Sequence, residues 1–411
     1  MAEKMELKEV EVWDGNYAAS QALRQAQVDV VAAYPITPST PIVENYGSYV
    51  ANGYIDGEFV MVESEHAAMS GCVGAAAAGG RVATATSSQG FALMVEVLYQ
   101  ASGMRLPIVM TVVNRALASP LNVRGDHSDM YLGRDSGWIQ IDAFNAQEAY
   151  DLTLCAFKIG EDMRVRLPVM VHQDGFLTSH TAQNVHVLQD DEAYKFVGDY
   201  KTHDEMLDFT KPVTYGAQTE EDWHFEHKAK QHKALIESRE VVEEVFAEFK
   251  KLTGREYKRV ESYMMDDAEV AIVALGTTVE TARVAAAQLR EEGIKAGVVA
   301  PRCFRPFPFD DIRDVLENTK AIAVLDRSAP MGAMGALFNE VSAALYTTQN
   351  RPLVTNFIYG LGGRDFSVEE AKRIFKEQKA HADAGYITTP VQQFSGVRGP
   401  KLGFFETKRG K

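Results

Sequence analysis

Three short stretches of this chain put reactive side chains where a folded sheet could use them. In Tyr34-Pro35-Ile36-Thr37-Pro38-Ser39-Thr40 two prolines stiffen the backbone and hold the Thr37 hydroxyl in a fixed direction. In Glu63-Ser64-Glu65-His66 a carboxylate opens a run made almost wholly of Ala, Gly, Ser, Cys and Val, so a ring or a neighbouring backbone can approach closely. An acid in the first turn of such a helix also gains from the helix dipole. In Asn114-Arg115 a guanidinium follows an apolar run and is suited to fork a carboxylate. Taken alone, each has a plainer reading: a rigid turn with a capping Ser or Thr, a helix-terminal acid, a surface ion pair.

These residues matter only if strands deliver them to one place. From Glu11 to about Val187, short β-branched or apolar runs alternate with Ala/Gly-rich helical stretches, which predicts βα repeats around a largely parallel sheet. Gly15 to Gln25 reads as a helix, and Val28 to Tyr34 as a strand leaving into the loop Pro35 to Pro41. Glu65 to Gly79 is a helix of small residues, Val82 to Thr86 and Ile108 to Val113 are buried strands, and Gln147 to Gly160 is a helix feeding the strand Pro168 to His172. Ligands on such sheets sit at the carboxyl ends of strands, so the loops after Tyr34, Thr86 and Val113 are the place to look.

From Leu188 to Trp223 the text is polar without a period. His224 to Leu252 then carries Leu235, Val241, Val245 and Phe249 at helical spacing, a long connector between domains. A second α/β unit opens at Glu269 with the run Val270 to Thr278, the helix Val279 to Glu292 ended by Gly293, and the strand Ala296 to Ala300; Ile322 to Asp326 and Met334 to Tyr346 repeat the pattern. The tail after Gly385 mixes Pro, Gly and aromatics and reads as an arm laid on another surface. The division this predicts is 1–255 and 256–411.

The 411 residues carry 42 basic and 57 acidic side chains, a net charge of −15, and 46% are hydrophobic, the balance of a globular protein. No dense Lys/Arg cluster offers a footprint for nucleic acid or an anionic membrane surface, and no stretch reads as a signal peptide or a membrane span. The 3 cysteines, Cys72, Cys155 and Cys303, are too far apart for a C-x-x-C pair or an iron–sulfur motif, so a reduced, cytoplasmic chain without its own cluster is the expectation. Neither G-x-G-x-x-G nor a P-loop, a nucleophile elbow or H-E-x-x-H occurs, and Gly360-Leu361-Gly362-Gly363 reads as a turn. Asp126-His127-Ser128-Asp129 offers three possible metal ligands, but neighbours in a loop rarely converge on one ion; a polar loop wall is the reading, with no metal held by this chain.

In order and spacing the stretches resemble the α-subunit of 2-oxoacid:ferredoxin oxidoreductases, the pyruvate synthase type above all. The resemblance runs through Gly15-Asn16, Tyr34 to Thr40, Glu63 to Ala68, Thr86 to Gly90, Asn114 to Asp129, Asp174 to His180 and Arg305 to Asp310. It implies an α/β fold in which a pyrimidine-type thiamine diphosphate-binding domain, with its connector helix, precedes a transketolase C-terminal-like domain with an extended arm. It implies that Glu65 hydrogen-bonds N1′ of the aminopyrimidine and shares a proton there, that Arg115 pairs with the substrate carboxylate, and that Thr37 contacts the 2-oxoacid. Pro35 belongs with Thr37 in the cofactor-side loop, and Ser88 and Gln89, on a third strand-end loop, would wall the pocket.

The resemblance further implies pyruvate, CoA and ferredoxin as reactants, in a hetero-oligomer of anaerobic metabolism. A G-D-G motif that would hold Mg²⁺ and the diphosphate is absent from the sequence. A β-subunit supplying that half of the site, and γ/δ or equivalent subunits carrying 4Fe-4S clusters, are therefore expected. A branched-chain 2-oxoacid or oxalate is the alternative substrate, and a non-catalytic scaffold or a transketolase-like transferase the alternative classes.

Overall fold

The computed structural model describes residues 5–202 and 204–407, in two compact α/β units. The first takes in the chain to residue 123, then 129–257 and 304–306; the second takes in 124–128, 258–303 and the residues from 307 on.

The first unit runs β1 (Val10–Trp13), α1 (Gly15–Gln25), β2 (Val30–Ala33), α2 (Thr40–Ala51), β3 (Glu58–Met61), α3 (Glu65–Ala77), β4 (Val82–Thr86), α4 (Ser88–Gly103), β5 (Val109–Asn114), β6 (Ile139–Ala143), α5 (Ala146–Glu161), β7 (Val169–Asp174), β8 (Gln183–His186), α6 (Asp190–Val197) and α7 (Glu221–Thr253). The strands β4, β5, β6 and β7 are buried along their whole length, which is why they read as unbroken apolar or β-branched runs. They pair in parallel in the order β6-β7-β5-β4-β2-β3. A later strand, Cys303–Arg305, closes the far edge beside β6. Alternate residues Met110 and Val112 of β5, with Ala32 and Met170, point into one core under α3 and α4. The helices α1, α2 and α5 pack as a separate group.

The helix α7 is 33 residues long; Val241, Val242, Val245, Phe246 and Phe249 are its buried stripe, and Gly254, at φ 77°, ends it in the left-handed region. Two departures from the sequence reading lie in this unit. The stretch Leu188 to Trp223 contains α6, whose Gln189 and Glu192 form a reciprocal cap that the polar composition concealed. The loop predicted through Pro41 stops earlier, because α2 begins at Thr40 and Pro41 takes a first-turn position where a missing N–H costs nothing.

The second unit contains β9 (Val260–Tyr263), β10 (Val270–Val273), α8 (Thr278–Glu291), β11 (Ala296–Pro301), α9 (Phe309–Leu316), β13 (Ala321–Asp326), α10 (Ala336–Leu345), β14 (Leu353–Ile358), α11 (Val368–Ala384), β15 (Gln392–Phe394) and β16 (Gly403–Phe404), while the intervening β12 (Cys303–Arg305) is the strand already placed beside β6. Its sheet has the order β16-β15-β14-β13-β10-β11-β9, with β9 and β16 antiparallel on the two edges. The tail is thus not an arm laid elsewhere. Gln392–Phe394 pairs in parallel with β14, and Gly403–Phe404 returns antiparallel beside it. Strands of two or three residues are too short to show alternation, so the sequence carried no sign of them.

Candidate active site

The exits of β2, β4 and β5 and the start of α3 bring the singled-out side chains together. Ser64 caps α3, its hydroxyl accepting from Ala67 N at 3.2 Å, and this sets Glu65 in the first turn. Glu65 is 7% exposed, and its carboxylate has no hydrogen-bond partner among the described residues. It lies against Gly90, in the first turn of α4: a Cβ on Gly90 would stand 2.5 Å from Glu65 Oε1 and 2.6 Å from Thr86 Oγ1. That glycine is there because the acid occupies the space. The Thr86 hydroxyl, at the end of β4, is itself buried without a partner among the described residues. A buried acceptor and a buried hydroxyl on the two sides of one glycine are both left for a ligand's polar groups to satisfy.

The loop after β2 is pinned from below. Asn16, fully buried at the start of α1, donates to Pro38 O at 2.8 Å, and Gly175 lets Pro38 and Asn114 O approach to where its Cβ would be, 3.1 and 2.4 Å away. Thr37 is exposed on that loop, and its carbonyl accepts from Arg115 Nη1 at 2.8 Å. Arg115 is only 7% exposed; its Nε donates to Asn122 O at 3.1 Å. Burial lowers the guanidinium's pKa from the ordinary value, and the Asp129 charge opposes that. Its side-chain partners among the described residues are carbonyls alone, so Nη2 keeps donors for an incoming anion.

Ser88 and Gln89 are not loop residues as predicted. They are the first two residues of α4, a helix the sequence reading passed over because Ser, Ser, Gln and Gly look like a turn. Ser88 has φ 49°, in the left-handed region that side chains avoid. It is held there by Asp129 Oδ2, which accepts from Ser88 N at 2.8 Å, and by Ala116 O, 2.6 Å from Ser88 Oγ; Gln89 Oε1 is also 2.6 Å from that hydroxyl. Pro35 sits half-buried in the loop that carries Thr37.

Asp126 and Asp129 do not converge. Asp129 serves Ser88, Asn114, Arg115 and Met130, whereas Asp126 accepts from Ser128 N and from Gly362 N. The glycine-rich turn at 360–363, with positive φ at Gly360, Gly362 and Gly363, thus spends a backbone N–H on a carboxylate of this same chain. Asn16, Gly90, Asp129 and Gly175 make these contacts, and sequence reasoning left them unassigned. Only their place inside the matching stretches marked them.

Residues 21–247 match the family model for pyruvate flavodoxin/ferredoxin oxidoreductase, thiamine diphosphate-binding, and residues 268–371 match pyruvate:ferredoxin oxidoreductase core domain II. The chain belongs to the pyruvate:ferredoxin oxidoreductase family. Pyruvate synthase subunit PorA of Thermotoga maritima is 46% identical over 93% of this chain and 97% of its own length. Ketoisovalerate oxidoreductase subunit VorA of Pyrococcus abyssi is 42% identical over 93% of this chain and 97% of its own. Among solved structures, a 2-oxoglutarate:ferredoxin oxidoreductase from Magnetococcus marinus superposes with a TM-score of 0.69 at 22% identity, covering 92% of this chain and 67% of that one. At that identity the likeness speaks for the fold alone, and the pyruvate:ferredoxin oxidoreductase family is assigned from the sequence matches.

Proposed function

We propose that this chain is the α-subunit of a pyruvate:ferredoxin oxidoreductase, which converts pyruvate and CoA to acetyl-CoA and CO₂ while reducing ferredoxin, reversibly. The carrying observation is the Glu65 carboxylate, without a hydrogen-bond partner among the described residues, beside Gly90 and Thr86 on strand ends contiguous with those that hold Thr37 and Arg115. The pyruvate assignment is supported by the 46% identity to a pyruvate synthase subunit. The residues fit thiamine diphosphate, because an aminopyrimidine offers a ring nitrogen that can share a proton with the Glu65 carboxylate and an amino N–H donor for the groups beside Gly90. When bound, the cofactor supplies a nucleophilic carbon for the 2-oxo group and an electron sink on loss of CO₂.

In this reading Glu65 Oε holds and returns a proton at N1′ of that ring. Arg115 Nη2 forks the substrate carboxylate, and a carboxylate-free analogue would leave that buried cation unmatched. Thr37 and Pro35 form the loop wall against the small acyl group, and Ser88 and Gln89 close the pocket beside it. The catalytic half-site belongs to residues 1–255 and the transketolase C-terminal-like half to 256–411.

The chain is incomplete for the overall reaction. Iron–sulfur ligation needs thiolates, but Cys72 is buried with its pKa pushed up to about 12, and burial raises that of Cys155 as well. Clusters on γ/δ or equivalent subunits, Mg²⁺ and the diphosphate on a β-subunit, and ferredoxin as acceptor complete the proposal, with the complex in the cytoplasm. Among the described residues no helix is long and apolar enough to cross a membrane.

The test is to purify the tagged chain with its native partners and add pyruvate, 2-oxoisovalerate or oxalate with CoA. Reduction of iron–sulfur clusters fastest with pyruvate is the expected result. A complex without clusters, or one that turns over only another oxoacid, refutes the assignment.

A further inference from the structure

We propose that Asp129 is a positioning residue for 2-oxoacid binding, the buried carboxylate that fixes where Arg115 stands relative to the helix carrying Ser88 to Gly90. The inference rests on the role proposed above for Arg115 and goes beyond it, since Asp129 is fully buried and touches no substrate. Its Oδ2 accepts from Arg115 N at 2.9 Å and from Ser88 N at 2.8 Å, which joins the exit of β5 to the exit of β4 through one atom. Its Oδ1 accepts from Asn114 Nδ2 at 2.9 Å and from Met130 N at 2.8 Å. Two strand exits, one helix start and the turn at Met130 therefore share a single anchor.

The geometry argues for more than a cap. Ser88 stands at φ 49°, a conformation that costs about 1 kcal/mol or more unless its surroundings impose it, and the Asp129 contact to its N–H is one of the two bonds that do so. Arg115 reaches from the same oxygen to Thr37 O on the loop after β2, so a shift at its backbone is carried to the guanidinium. Asp129 also supplies the negative charge that offsets burial of that guanidinium. Only a carboxylate presents two oxygens that both accept and never donate.

The substitutions grade the effect. Asp129→Asn places an NH₂ opposite two donors. The Asn114 amide can turn to meet it, because Asn114 Oδ1 has no partner among the described residues, whereas the backbone N–H groups of Ser88 and Arg115 on one oxygen and of Met130 on the other cannot turn. The asparagine therefore keeps its oxygen toward Ser88 and Arg115 and leaves Met130 N unmatched, so the loss is partial. Asp129→Ala frees both exits.

The experiment measures kcat and KM for pyruvate and for CoA in the assembled complex carrying Asp129→Asn, Asp129→Ala, Arg115→Ala or the Asp129→Ala/Arg115→Ala pair. The expected KM for pyruvate rises about threefold for asparagine and about tenfold or more for alanine, with the CoA KM unchanged, and Asp129→Ala adds nothing once Arg115 is gone. A purely structural role would lower kcat and raise the pyruvate and CoA KM values together, and would add to Arg115→Ala. If Asp129→Ala fails to assemble, Asp129→Asn decides by the same split. A pyruvate KM within twofold of wild type, additive losses, or failure of both variants to assemble overturns the proposal. An unchanged pyruvate KM in Arg115→Ala instead refutes the role of Arg115 on which it rests.

Discussion

Replacing Gly90 with alanine separates stability from chemistry at this site. The new methyl would lie 2.5 Å from Glu65 Oε1, 2.9 Å from Glu65 Cδ and 2.6 Å from Thr86 Oγ1, against about 3.4 Å for ordinary contact. The carboxylate must therefore withdraw by about 0.9 Å, the difference between those distances, or swing away on its flexible stem. Misplacing a proton-handling group by about 1 Å costs on the order of 100-fold in rate. Alanine is favoured over glycine in a helix by roughly 1 kcal/mol, which offsets much of the crowding, so the thermal midpoint should move by only a few degrees. The assay is pyruvate-dependent reduction of a one-electron acceptor by the assembled complex, with calorimetric titration of thiamine diphosphate beside it. In a Glu65→Gln background the same change should add little, since the group it displaces no longer functions. Full activity in Gly90→Ala, or losses that multiply in the double variant, would show that the Glu65 carboxylate is not the working group.

Two further outcomes follow from individual side chains. Glu65→Gln keeps the shape and loses the proton, so turnover should fall by about 10²–10⁴-fold with the fold intact; proton exchange at C2 of bound thiamine diphosphate, followed by NMR, would have to slow in parallel, and a normal exchange rate counts against the assignment. Asp326, fully buried at the end of β13, accepts from Leu337 N, Phe338 N and Asn356 Nδ2, yet burial raises its pKa from 3.8 to about 6 against those bonds and the nearby His127 charge. Its folded pKa exceeds the unfolded one, so the ionised group costs stability, about 3 kcal/mol above the folded pKa, and the cost is relieved as pH falls through about 6 toward 3.8. Relative to Asp326→Asn, the native chain should lose roughly 1 kcal/mol between about pH 5 and about pH 7 in denaturant titrations. Parallel pH curves for the two proteins refute it.

What could be read from the sequence follows from what signals are local. The strand Val82 to Thr86 coincides with the observed element, and β5 and β7 differ by one or two residues, because a doubly covered strand is apolar along its whole length. Glu65 at a helix start and Arg115 after a strand were placed correctly for the same reason. The helix beginning at Ser88 was missed because its first turn is polar and its first residue has a positive φ that depends on Asp129, 41 positions away. Long-range accommodation of this kind leaves no periodic trace. The short pairings of the tail and the Asn16 bond to Pro38 were hidden for the same cause: their partners are remote and their own stretches are too brief to show a pattern.

The way the backbone is shared out has a practical corollary. Five residues, 124–128, interrupt the first unit and belong to the second, and three, 304–306, make the opposite exchange. Within the second unit His127 N donates to Arg327 O at 2.8 Å and Gly362 N to Asp126, while Phe304 and Arg305 sit on the border strand of the first sheet. Scissors applied near residue 257 would hand each fragment a severed stitch: one piece would dangle a pentapeptide stripped of its mates, the other would bury a strand with nothing to zip onto. Truncated forms should consequently melt lower and less sharply than the intact polypeptide.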